Sequence, residues 1–436
     1  MKNIILNSLL FISLGASMVS CQKDYGNLNS PTAENFLTNA SPNDLNNLVT
    51  GTESGMRNNM ALYLDDVGSI GRELYRFSGS EPRYITDLLG ITSQLGGSNF
   101  YITNPWAARY RVVKNCNLLI QATTNTKSPL VSAANKAAYI GFAQTIKAYQ
   151  LLLNVNLTDT NGIRLSVDDP DNLGPLYPSD VAYDSIQAIL DLGMASLGTA
   201  TVNFPLSSGF AGFSDAAGLI QFNRALSARV QVYRKDWAEA LTALNGSFFG
   251  LNNDFYLGVY HAFGTGSGDQ INPAFIPRNQ SGEVRGANPS YAEDIEAGDD
   301  RISKAPLRNS PASSSYGPTS DRDVWIYTTS TSPMAIVRNE ELILIYAEAN
   351  IQLNNFPEGV KAINKIREGH GLSDYSGPQT EPALIDEMLN QKRYSLFCEG
   401  HRWIDMRRYG KLNDLPLDGG TDIWGQFPLP ISEPLN

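Results

Sequence analysis

The sequence predicts an all-α chain: a helix-turn-helix scaffold interrupted by one long, loop-rich insertion. Three observations carry this. Apolar residues recur at helical spacing in both halves of the chain, two of the helical stretches repeat each other, and residues 247–336 lack that spacing and are rich in Gly, Ser, Asn and Pro. The chain has 436 residues with 42% hydrophobic content, which supports a packed core and excludes a disordered chain.

The N-terminus reads Met1-Lys2-Asn3, an apolar run from Ile4 to Leu14, then Gly15-Ala16-Ser17 and Met18-Val19-Ser20-Cys21, the layout of a secretory signal. The apolar run falls short of the ~20 residues that a membrane-spanning helix needs. Val19-Ser20-Cys21 after such a run resembles the lipobox of bacterial lipoproteins, with Met18 where Leu is usual. That resemblance implies lipidation at Cys21 and attachment to a membrane through acyl chains rather than a span; an ordinary thiol near a cleavage site is the plainer alternative. Residues 1–20 are therefore expected to be a signal peptide, 21–40 a polar lipid-anchored tether, and 41–436 the folded body. Cys116 and Cys398 remain, enough for one bridge and too few for a disulfide framework.

The first helix is expected over 41–58, because Ser41-Pro42-Asn43-Asp44 supplies an N-cap, a Pro at the first helical position and an acid at N3. From Trp106 to Gln121, Val112, Val113, Cys116, Leu119 and Ile120 share one buried face, which makes Cys116 a core residue. The stretch from Ser132 to Asn156 is rich in Ala and Leu and contains no Pro, so a long helix is expected. Further helical spacing appears at 179–197, 217–246, 337–354, 357–369 and 382–409, with one strand-like run, Val324 to Tyr327, inside the insertion. Ala225 to Leu244 and Leu344 to Ile363 repeat an apolar helix, a polar turn, an aromatic and a second helix, with Trp237-Ala238-Glu239-Ala240-Leu241 matching Phe356-Pro357-Glu358-Gly359-Val360. Small residues at crossings let paired helices pack closely, and the pattern resembles tetratricopeptide units.

The composition narrows the chemistry. Lys and Arg number 33 against 44 Asp and Glu, a net charge of −11, and no basic run offers phosphate backbones a footprint, so nucleic acid is a poor partner. Charged residues make up only 18%, while 17 Phe, 20 Tyr and 5 Trp suit an uncharged, ring-stacking ligand. His261, His370 and His401 have no metal-ligand spacing, Gly264-Thr265-Gly266-Ser267-Gly268 is no phosphate loop, and Pro170 and Leu173 interrupt a calcium-loop spacing, so no metal and no cofactor are expected. No nucleophile elbow is present, and no catalytic residue is assigned. Glu340, Glu341, Glu348, Glu399 and Asp405 lie beside Arg338, Arg402, Arg407 and Arg408, where ion pairs and helix-end roles explain them.

Arg338-Asn339-Glu340-Glu341-Leu342 through Ala349, Ala362-Ile363-Asn364-Lys365-Ile366-Arg367, and Glu399-Gly400-His401-Arg402-Trp403-Ile404-Asp405-Met406-Arg407-Arg408 together resemble the SusD/RagB family of nutrient-uptake outer-membrane lipoproteins. Gln391 and Ser395 depart from that pattern, since the family often has Glu there. The resemblance implies an all-α SusD-like body of tetratricopeptide-like units and a non-catalytic, carbohydrate-binding role at the outer membrane. It also implies a partner, a SusC-like TonB-dependent transporter to which glycans or peptides are delivered. A lipid-anchored glycoside hydrolase and a protein-interaction scaffold are the alternatives.

For the ligand, exposed rings beside polar groups are the physical requirement. Arg72 to Tyr84 and the 247–336 insertion qualify, and they nominate Tyr75, Arg83, Tyr84, Tyr260, Tyr291, Tyr316 and Trp325.

Overall fold

A computed structural model describes residues 37–169, 171–417 and 422–433. The signal peptide, Cys21 and the greater part of the tether lie outside those residues. Helices α1 (Pro42–Met56) and α2 (Met60–Ile70) lead into strand β1 (Leu74–Ser78) and the single turn α3 (Arg83–Thr86). The long helices α4 (Phe100–Asn125) and α5 (Ala133–Thr158) follow, then the short strands β2 (Ile163–Arg164) and β3 (Leu176–Tyr177) and helix α6 (Ser179–Leu197). Helices α7 (Ala216–Arg234) and α8 (Trp237–Asn245) precede the insertion, which holds β4 (Gly258–His261), β5 (Glu283–Ala287), α9 (Ser290–Asp294), β6 (Leu307–Ser313) and β7 (Thr319–Arg322). Strand β8 (Met334–Arg338) returns to helices α10 (Asn339–Gln352), α11 (Phe356–Gly369), α12 (Glu381–Ser395) and α13 (Arg402–Arg408). No described helix is long and apolar enough to cross a membrane.

The long helices pack as a sequential array, α4 on α5, α5 on α6, α6 on α7 and α7 on α8, continued by α10 and α11. At the start of α1, the backbone N–H of Ser41 donates to Asp44 at 2.9 Å and that of Asp44 to Ser41 Oγ at 3.3 Å, the reciprocal cap that the sequence predicts. The internal repeat is a repeat in space. Lys235 and Asn354 hold the same place between their helices, and both are left-handed, with φ of 62° and 60°. Each chain reversal is therefore made by one residue that stops the first helix just before the cap of the second. Ala240 is fully buried, and a Cβ on its counterpart Gly359 would stand 2.7 Å from Ile351, so the small residues do mark a close crossing.

Three boundaries differ from expectation. The helix expected over 106–121 begins at Phe100 and runs through Pro105. The helical stretch expected over 382–409 is two helices, because Cys398 (φ 58°) and Gly400 (φ 88°) turn the chain between them. Val324 to Tyr327 is not a strand: Val324 and Trp325 donate to Arg285 O and Lys304 O at 2.8 Å as irregular chain, while the insertion's strands form at β4 to β7. Cys116 is buried and free, as is Cys398, and burial pushes the Cys116 thiol up to about 12.

The C-terminal motif residues are architectural. Arg338 (3% exposed) binds Glu340 and Glu399, Arg229 binds Glu341 at 2.6 Å, and Arg408 joins Glu348 at 2.8 Å and Asp405 at 2.7 Å. Burial alone would raise the Glu340 and Asp405 carboxyls. Arg338, His370 and Lys304 overcome it at Glu340, and Lys392 and Arg408 hold Asp405 down to about 2. At Gln391 and Ser395, the Arg301 guanidinium bonds Gln391 Oε1 at 2.7 Å and Ser395 Oγ at 2.9 Å. Its charge is balanced by Asp299 at 2.6 Å. Gln391 and Ser395 thus act as neutral acceptors, and Arg301 is balanced in charge without a carboxylate at either position.

Candidate functional site

The site is built by a pairing across two hundred residues. Strand β1 runs antiparallel to β5, with Phe77 opposite Val284 and Ser78 opposite Glu283. Strand β5 is held from beneath by a buried ion pair in which Arg285 Nε and Nη2 reach the two Asp65 oxygens at 2.6 and 2.7 Å. The segment from Arg72 to Tyr84 and the insertion, chosen separately from sequence, therefore meet along one edge.

Above that edge lies a cleft of about 680 Å³. Its floor is apolar: Phe77, Ile85 and Val284 are at most 5% exposed and pack with Tyr75 and Leu89. Its walls are amides and hydroxyls, among them Ser78, Asn279, Gln280, Asn309 and Ser310. The walls are knit together. Asn279 N donates to Asp323 at 2.8 Å, Asn309 N donates to Asn279 Oδ1 at 2.6 Å, and left-handed Asn279 (φ 60°) makes the turn between them. Arg308 lines the cleft but is spent on the protein, reaching Asp323, Gln280 O at 2.8 Å and Ser310 O at 3.2 Å. An uncommitted charge is thus missing from this lining, while hydrogen-bonding groups surround an apolar bed. That arrangement suits a neutral, hydroxyl-bearing ligand with an apolar face.

Among the residues nominated from sequence, Tyr316 lines this cleft, 42% exposed near the tip of the β6–β7 hairpin. Tyr75 and Tyr291 are corrected to core residues. Each is 1% exposed, Tyr75 taking a hydrogen bond from Asn288 at 3.0 Å and Tyr291 donating to Arg301 O at 2.8 Å, so neither ring has a face to offer. Arg83 is clamped by Glu81 at 2.6 Å and lies over the Phe100 ring at 4.9 Å. Tyr84 sits edge-on to Phe100 at 5.2 Å with the Arg76 guanidinium 5.4 Å from its ring, and burial pushes its hydroxyl up. Both lie between the lining residues Pro82 and Ile85 in the chain without lining the cleft. Tyr260 lines a separate cavity of about 320 Å³ with Arg57 and Glu53, and half-buried Trp325 leans on Phe275 at 6.1 Å.

Sequence reasoning missed the polar walls. The Asn279-Gln280-Ser281 and Asn309-Ser310 clusters read as turn-formers, and the run of amides and hydroxyls was the signal available.

Comparison with known proteins agrees with this architecture. Residues 314–423 match the SusD family. SusD-like protein P38 from Formosa agariphila is 30% identical over 102 residues, a stretch covering 20% of this chain and 20% of that protein. Among solved structures, surface glycan-binding protein A from Bacteroides uniformis superposes with a TM-score of 0.68 at 15% identity, covering 89% of this chain and 96% of that one. Surface glycan-binding protein A from Bacteroides thetaiotaomicron, in complex with laminarihexaose, gives a TM-score of 0.68 at 13% identity over 90% of this chain and 97% of that one. A SusD superfamily protein from Parabacteroides distasonis gives a TM-score of 0.68 at 16% identity, covering 92% of this chain and 97% of that one. Residues 314–423 thus carry the sequence pattern of the SusD family, and the fold of the described residues is similar to that of these solved structures over most of their length.

Proposed function

We propose that this protein is a non-catalytic, cell-surface glycan-binding lipoprotein, anchored in the outer membrane through Cys21, that captures oligosaccharides and hands them to a SusC-like TonB-dependent transporter. The observation that carries the reading is the cleft between β1 and the insertion, whose apolar floor and amide and hydroxyl walls match the two kinds of surface that a sugar presents. Within it, Tyr316 is the stacking ring, with Tyr84 and Arg83 supporting the adjacent wall; Tyr260 and Trp325 lie in the same insertion and would extend the contact surface for a longer polymer. The division into signal peptide (1–20), tether (21–40) and binding body (41–436) follows from the same reading. Peptide cargo is the competing ligand class.

The chemistry of the acids supports binding without turnover. Glycoside hydrolysis needs two carboxyls facing the scissile bond, one of them with a raised pKa. Among the described residues, the carboxyls that are pushed up, Asp66 and Glu73, are 0% and 3% exposed, and neither lines the cleft. The test is binding of the purified protein to a panel of neutral oligosaccharides and peptides, with product analysis of the same samples and affinity purification from native membranes. Saturable glycan binding without products, and a co-purifying transport barrel, are expected. Released products would overturn the non-catalytic reading, and binding of peptides alone would change the cargo.

A further inference from the structure

A further concavity, of about 480 Å³, opens between α4, the segment from Arg164 to Leu173 and residues 432–433. Its chemistry is the opposite of the first. At its inner end the chain's own Glu433 carboxylate is bound by buried donors, Trp106 Nε1 at 2.9 Å and Arg164 Nε at 2.8 Å. Arg164 is 1% exposed and Trp106 3%. Tyr110 fixes this bed: its hydroxyl donates to Arg164 O at 2.9 Å and accepts from Arg164 N at 2.7 Å, and its ring stands edge-on to Trp106 at 5.0 Å. The concavity thus already holds a carboxylate in charge-assisted hydrogen bonds.

Beside that carboxylate, Arg111 and Lys114 line the same concavity, three residues apart on one face of α4 and exposed. Neither forms an ion pair among the described residues. The contrast with Arg308, spent on its own loops, and with the paired arginines of the C-terminal motif is direct. In a chain carrying 11 more acids than bases, two uncommitted cations in one concavity, beside an aromatic pair, form a local positive site against the overall field.

We propose that this concavity is a second ligand site, one that takes an anionic saccharide unit, with Arg111 and Lys114 pairing its acid group and the half-buried Tyr110, held by the buried Trp106, lying against its ring. This rests on the reading of the chain as a glycan-binding protein. The cargo is then a polymer bearing acidic units as well as neutral ones, carboxylated as in uronates or sulfated.

The test uses the full chain in detergent, titrated with an oligogalacturonate, a sulfated galactan oligomer, a neutral galactan oligomer and a polyglutamate peptide. The arms are wild type and the Arg111→Ala/Lys114→Ala double variant, whose exposed positions leave the core intact. One or both acidic oligomers are expected to bind wild type, more weakly as salt rises, and the double variant is expected to lose about tenfold in affinity for them, the loss of two exposed ion pairs. Its affinity for the neutral oligomer is expected to stay unchanged. Equal acidic binding by the two proteins overturns the proposal, as does binding of the neutral oligomer with no acidic binding, which leaves the glycan reading standing. Polyglutamate bound through Arg111 and Lys114 with no glycan bound overturns the proposal and the glycan reading together.

Discussion

The helical array and the 247–336 insertion follow opposite rules for their charged and polar groups. In the array, Arg338, Glu340, Glu341 and Asp405 are buried and Arg408 is half-buried, each ion-paired with a partner from a neighbouring element, and the charges act as ties between elements. In the insertion, Asn279, Gln280, Asn309 and Ser310 line an open cleft, and the one arginine among them is absorbed by its own loops. The first region uses polarity to hold a shape. The second leaves its polarity open to solvent, where the proposed ligand would meet it. Changes in the array are therefore expected to read out in stability, and changes in the cleft in binding.

Arg338→Ala should give the largest effect, a loss of about 3–5 kcal/mol in unfolding free energy, because it leaves Glu340 and Glu399 without their shared cation. Denaturant unfolding measures it, and a loss under about 1 kcal/mol would dissolve the contrast. Next comes Glu73, whose carboxyl is pushed up to about 7 by burial, with Glu399 adding to the rise. A raised carboxyl favours the protonated folded state. The stability it contributes is full below the unfolded value near 4.5 and is lost as pH rises through 7. Glu73→Gln should match wild type at pH 4 and exceed it by about 3 kcal/mol at pH 8; parallel pH-stability curves for the two proteins would contradict this. Tyr316→Ala tests the other side of the comparison. Unfolding should shift by less than about 0.5 kcal/mol, while affinity for the preferred neutral oligosaccharide falls several-fold, as loss of a stacking ring requires. A stability loss with unchanged affinity would make Tyr316 a packing residue. The smallest effect is expected at the exposed Lys361–Glu358 pair, where Lys361→Ala should cost less than about 0.5 kcal/mol.

Much of the array was legible in the sequence because its information is local. A cap such as Ser41 with Asp44, the stripe that buries Cys116, and the repeated turn before Trp237 and Phe356 each depend on residues a few positions apart. Where local signals misled, the chain conformation was set by distant contacts: Val324 to Tyr327 has strand composition, yet its backbone partners at Arg285 and Lys304 hold it irregular. Ring counting failed at Tyr75 and Tyr291 for a related reason, since exposure depends on what packs above a residue and composition is blind to that.

By itself, then, the amino-acid sequence determined most of the helices and the family motif through short-range spacing, and it nominated the two segments of the candidate site through their rings and polar groups. The tertiary structure alone decided that β1 meets β5, that Phe77 and Val284 become one floor, and that Arg308 is spent while Arg111 and Lys114 have no ion pair among the described residues. The pairing of residues two hundred positions apart follows from the packing of the whole chain, and no local pattern encodes it.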